Sequence, residues 1–236
     1  MKKFTIISTL AAFLLQISSN AQAADARLVD FVNPFIGTGA ADANSLSGNN
    51  FPGATTPFGF VQLSPDTAEV PGPCSGYDYN HKTIYGFSHT HLSGTGVGDL
   101  FDVLVMPGIG DPAWDAGKPE ISGYKSSFTH EKESAKPGYY QVNLLDYNIN
   151  AELTATEHVG FHKYTFLQST QAHILIDLNH SVDKNRNWYP CKVTAQARVV
   201  SDRIIEGYRI ITGWGEGYRR FILEPSFQSL SRAACC

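Results

Sequence analysis

The sequence predicts an all-β chain, an antiparallel β-sandwich that carries long, ordered loops rich in Gly and Pro. Three observations predict it. Short runs of β-branched and aromatic residues recur between turn clusters from Tyr139 onward. Helical 3.6-residue periodicity is hard to find anywhere along the chain. Finally, 21 Gly and 12 Pro stand against two Met, a balance of strands and turns and not of a helix bundle.

The chain begins with an address. Lys2 and Lys3 precede an uncharged, mostly apolar run from Phe4 to Ile17, which turns polar at Ser18-Ser19-Asn20 and reaches Ala21-Gln22-Ala23. This order is that of a secretory signal peptide cleaved after Ala23. The apolar run is shorter than the about 20 residues a membrane span needs, and no later run is long enough. Residues 24–236 then read as one exported domain, periplasmic or extracellular, with no membrane span.

From Asp25 to Gly123 the text is dense in Gly and Pro, with short apolar runs such as Phe60–Leu63 and Phe101–Val105. Ordered loops of this length tend to be functional. After them come the strand-like runs Tyr139–Leu145, Ile149–Thr156, Phe161–Leu167 and Ile174–Leu178. Val193–Val199 alternates in the manner of a strand with one wet face, and Ile204–Ile211 and Tyr218–Leu223 continue the series. No internal repeat or linker interrupts it.

Charge excludes one class of partner. With 18 Lys+Arg against 22 Asp+Glu the net charge is −4, and removing the leader takes away two lysines and no acid. No basic footprint for a phosphate backbone remains, so no nucleic acid is expected. The four cysteines, Cys74, Cys191, Cys235 and Cys236, are too few for a disulfide scaffold and lack C-x-x-C spacing.

Candidate chemistry concentrates in Y-G-F-S-H-T-H-L-S-G-T-G, Tyr85 to Gly96, followed by Val97–Asp102. His89 and His91 are two apart, so an extended backbone points both to one face. Two such imidazoles can bind a metal, orient a hydroxyl, shuttle protons, or be satisfied by hydrogen bonds within a loop. Asp99 and Asp102 add carboxylates after a tight Gly turn. Gly94-x-Gly96-x-Gly98 lacks the G-x-G-x-x-G order, and Glu157-His158 with His162 lacks that of H-E-x-x-H, leaving ordinary strand histidines. No G-x-S-x-G elbow is present. Asn33–Thr38 and Phe51–Gly59 offer backbone donors and aromatic faces, which either cradle a sugar ring or form a shaped wall.

At these residues the sequence resembles glycoside hydrolase family 92, the exo-acting α-mannosidases. The resemblance rests on V-N-P-F-I-G-T (Val32 to Thr38), F-P-G-A-T-T-P-F-G (Phe51 to Gly59), V-Q-L-S-P-D-T (Val61 to Thr67) and C-S-G-Y-D-Y (Cys74 to Tyr79). It continues through Ile84–Gly96, the D-V-L-V-M-P ending at Pro107, K-P-G-Y-Y-Q-V (Lys136 to Val142), A-E-L-T-A-T with F-H-K-Y-T-F, and Gly213-Trp214. It implies an N-terminal β-sandwich followed by an (α/α)6 barrel, and an inverting, calcium-dependent attack on mannose-containing glycans. The general acid, the base and the main calcium ligands are expected in that barrel.

On the same resemblance this chain lacks the barrel. It leaves the family pattern after Tyr218–Leu223, which predicts an incomplete product of a frameshift, a stop codon or a split gene. No catalytic residue and no metal ligand is therefore named in this chain. His89, His91, Cys74 and Asp99 are expected in the sugar-binding wall. The stretch Asp66–Cys74 carries no Trp where relatives often have one, which bears on linkage. The alternative reading is a stand-alone mannoside-binding sandwich without catalysis.

Overall fold

A computed structural model describes residues 27–39, 49–67, 74–110, 124–181, 192–213 and 217–224. The leader, Cys191, Trp214 and the C-terminal cysteines lie outside these residues. The chain divides into two compact units, Met1–Val32 and Asn33–Cys236. In the first, the described residues form a 3-10 turn, Leu28–Phe31, tied by Arg27, whose amide and guanidinium both donate to Asp30.

The second unit is built of strands. They are β1 (Ala54–Thr55), β2 (Gln62–Asp66), β3 (Thr83–Ile84), β4 (Gly86–Ser88), β5 (Leu104–Ile109), β6 (Ser126–Ser127) and β7 (Glu133–Lys136). After these come β8 (Tyr139–Leu144), β9 (Ile149–Ala155), β10 (Gly160–Thr165), β11 (Ala172–Asp177), β12 (Lys192–Ser201), β13 (Ile204–Thr212) and β14 (Gly217–Leu223). All pairings are antiparallel. One sheet runs β1-β2-β4-β5-β11, a second β10-β9-β8-β7, a third β12-β13-β14, and β3 pairs with β6. Among the described residues there is no α-helix. The all-β reading is correct, and the seven strand-like runs read from Tyr139 onward are all strands, within two residues at each end.

The first two sheets make the sandwich, with β1 and β2 lying against β9. In β8 and β9 every second residue is buried, which delivers Tyr140, Val142, Leu144, Ile149, Ala151 and Leu153 to one side of the core. From the other sheet come Leu63, Phe87, Leu104 and Met106. Each such fully buried side chain stabilises by roughly 1.5–3 kcal/mol. The strand β5 is buried along nearly its whole length, which explains its unbroken apolar run.

One strand departs from its expected pattern. β12 alternates as far as Gln196, then exposes both faces through Val199 and Val200, because among the described residues no layer covers its hairpin with β13 there. A strand that the sequence did not announce is β7. It is held by Glu133, whose buried carboxylate accepts the hydroxyls of Tyr77 (2.9 Å) and Tyr140 (2.6 Å) and lies 2.6 Å from His130 Nδ1. Burial and then the adjacent carboxylate hold both phenols well above their ordinary range, so they donate and stay neutral.

Candidate functional site

The loops that leave β2 and β4 converge on one buried carboxylate. Asp66 ends β2 and is 1% exposed. His91 Nε2 lies 2.8 Å from its Oδ1, and His180 Nε2 lies 3.0 Å from its Oδ2. The turn after β11 delivers His180, because Asp177 Oδ1 accepts the amides of Asn179 and His180. His91 is anchored at its other nitrogen as well, with Nδ1 donating over 2.6 Å to the Gln62 carbonyl, and Phe51 and Phe101 pack beside its ring. Burial alone would push the Asp66 carboxyl up; the charge of His91 and the hydrogen bonds from both imidazoles outweigh it and hold it down at about 2. Gly76 must be glycine here: its φ is +84°, and a Cβ would sit 2.4 Å from Asp66 Oδ1.

A second buried charge fixes the next loop. Leu100, Phe101 and Val103 all have positive φ, between +55° and +77°, which side-chain-bearing residues seldom adopt. Arg209 reaches this loop from β13 with no exposed surface. Its Nε pairs with Asp102 Oδ1 at 3.0 Å, and its other nitrogens donate to the carbonyls of Phe101 and Leu100. Thr90 closes the arrangement: its hydroxyl donates to Asp102 Oδ2 over 2.7 Å and accepts the Asp102 amide. A strained loop is thereby clamped beside His91, and Asp99 is carried with it.

These loops carry motifs already noted, and the pattern that defines the "Glycosyl hydrolase family 92 N-terminal domain" matches residues 31–226. The chain belongs to glycosyl hydrolase family 92. A family GH92 α-mannosidase from Bacteroides thetaiotaomicron, solved in complex with mannoimidazole, is 42% identical, with a TM-score of 0.72 over 84% of this chain and 25% of its own. An inverting mannosidase of the same family and species, 23% identical with a TM-score of 0.62 over 82% of this chain and 24% of its own, shares the fold. An uncharacterized secreted glycosidase from Arthroderma benhamiae is 30% identical over 168 residues, 66% of this chain and 20% of its own length. The chain thus spans about a fifth to a quarter of these relatives.

Within this family 92 domain the four residues read from sequence fall as follows. His91 is the buried partner of Asp66. Cys74 is buried at the neighbouring turn, where its Sγ donates to Asn49 Oδ1 over 3.0 Å. Asn49 in turn accepts the Gly94 amide, so Cys74 shares a loop cluster with His91. Asp99 is buried at the end of β13, accepting the amide of Leu100. His89 goes elsewhere: its Nδ1 donates to the Val103 carbonyl and its Nε2 meets His162, so the two histidines of the H-x-H serve different networks. Sequence reasoning missed Asp66, His180 and Arg209 as members of the cluster.

The carboxylates described in these loops are not arranged for calcium. Asp66 faces two imidazoles, Asp102 faces a guanidinium and Asp99 accepts a backbone amide, so they do not converge on a common point. Among the described residues no three His, Cys, Asp or Glu side chains are placed to hold a metal. Nor, among them, is any helix long and apolar enough to cross a membrane.

Gly213 explains itself by Asp99. A Cβ at Gly213 would lie 2.8 Å from the Asp99 carboxylate, closer than real Cβ contacts come. Gly213→Val should therefore displace Asp99 and cost roughly 1–3 kcal/mol in urea unfolding. An unchanged midpoint would mean that this approach is looser than described.

Proposed function

We propose that this family 92 chain is the N-terminal part of an exported, calcium-dependent, inverting exo-α-mannosidase, and that it does not hydrolyse mannosides alone. Its clamped loops, with His91 held by Asp66 and Asp99 carried on the segment that Arg209 fixes, form one wall of the mannose pocket. The observation that carries the reading is that clamp: the buried Arg209–Asp102 pair holds a strained loop beside the His91–Asp66–His180 contact, in a domain 42% identical to an α-mannosidase bound to mannoimidazole. Strain of this kind persists where a surface must be kept in one shape. Inversion needs an acid and a base set about 6.5–9.5 Å apart across the sugar. In this reading both come from the helical domain, which also holds the calcium that engages mannose hydroxyls. Residues 1–23 serve as the export leader, a role the secreted fungal relative supports.

A chimera tests this. The 42% identical α-mannosidase is rebuilt with this chain in place of its own N-terminal domain and assayed on α-linked mannobiose. The folded chimera should hydrolyse it, whereas the 236-residue chain should not, with or without calcium. Hydrolysis by the chain alone, abolished by EDTA and restored by calcium, would overturn the reading, as would a folded but inactive chimera. Mannoside binding by the chain without any rescue of the chimera would favour a stand-alone binding module.

A further inference from the structure

His89 and His162 meet nitrogen to nitrogen. Their Nε2 atoms are 3.0 Å apart, partly buried between β10 and the segment that follows β4. Each ring is fixed from behind. His89 Nδ1 donates over 2.8 Å to the Val103 carbonyl, and His162 Nδ1 lies 2.7 Å from the Tyr164 hydroxyl. His89 must therefore present a lone pair at Nε2, and a single proton, carried by His162, lies between the rings. Gly160 leaves the room for this, since a Cβ there would come within 2.8 Å of the His89 ring.

From this geometry we propose a divalent transition-metal site, for Cu(II) or Ni(II), at His89 Nε2 and His162 Nε2, with water completing the coordination. The separation decides the class of ion. With metal–nitrogen bonds of about 2.05 Å, nitrogens 3.0 Å apart subtend about 95° at the metal, the cis angle of square-planar or octahedral coordination. A tetrahedral angle needs about 3.3 Å, so zinc fits less well. The protons balance without loss: His162 moves its proton from Nε2 to Nδ1, where it is donated to Tyr164 Oη, and Tyr164 turns its own hydroxyl away. Both ligands then donate their rear N–H to an oxygen, the arrangement that orients metal-binding imidazoles. The site is independent of the proposed mannosidase role.

Copper titration of the full chain, in a Cys235→Ser, Cys236→Ser background so that terminal thiols do not compete, tests the site. Electron paramagnetic resonance should report one Cu(II) coupled to two imidazole nitrogens. His162→Phe should weaken binding roughly tenfold or more, and Tyr164→Phe should weaken it less, while His158→Phe in the turn of the same hairpin should leave it unchanged. The nitrogen count is read on the chain with both histidines intact, so it stands even if a variant misfolds. A copper signal without two nitrogens, or one that His162→Phe leaves intact in a folded chain, would overturn the proposal.

Discussion

Arg209→Met should lower the unfolding free energy by about 3–5 kcal/mol, the usual consequence of removing one member of a buried ion pair. The guanidinium faces Asp102 and donates to the Phe101 and Leu100 carbonyls, so methionine fills similar space while taking away the cation and two donors. In a chain of this size the midpoint of thermal unfolding should fall by roughly 6–20 °C. Arg209→Lys should recover a fraction, because an ammonium cannot serve three acceptors in one plane as the fork does. The decisive comparison is Arg209→Met combined with Asp102→Leu, which should cost less than the sum of the single changes, since no uncompensated charge is left buried. Additive losses would mean that Arg209 acts by packing, and the clamp on residues 100–103 would have to be attributed to Thr90.

The strands were legible because their signals are local. In β8 and β9 the alternation Tyr140, Val142, Leu144 and Ile149, Ala151, Leu153 is written directly into the chain, and burial follows it residue by residue. The strand β7 was not legible. Glu-Ser-Ala-Lys has no strand-like composition, and what makes it pair is a carboxylate buried under two tyrosines, one of them 56 positions away. The site divides the same way. His89 and His91 stand out in any reading of Tyr85–Gly96, yet their separation into two networks depends on His162 and Asp66, which are brought in by other strands. Arg209 is the clearest case: nothing in the strand-like run Ile204–Ile211 marks it for burial, which is settled by carbonyls more than a hundred residues earlier. Asp66 left one signal, an acid three residues beyond the apolar run Phe60–Leu63, at the end of the strand which that run opens.

Asp66→Asn is expected to have a comparable effect and a distinct pH signature. Oδ1 accepts from His91 Nε2, and Oδ2 faces His180 Nε2 at 3.0 Å. Asparagine keeps one acceptor and sets an amide N–H against the other imidazole, so a donor meets a donor in a buried site. The loss should be about 3 kcal/mol at pH 7. The wild-type carboxyl is held down from 3.8 to about 2 in the folded chain. A lowered folded value means that its contribution is complete above the unfolded value and disappears as pH falls through the folded one. Between pH 4 and pH 2 the wild type should thus lose about 2 kcal/mol that the variant never had, and the two urea midpoints should converge. Parallel midpoints down to pH 2 would show that Asp66 is not the acid-sensitive group. Convergence would locate acid lability at the carboxylate on which His91, His180 and the loop beside them depend.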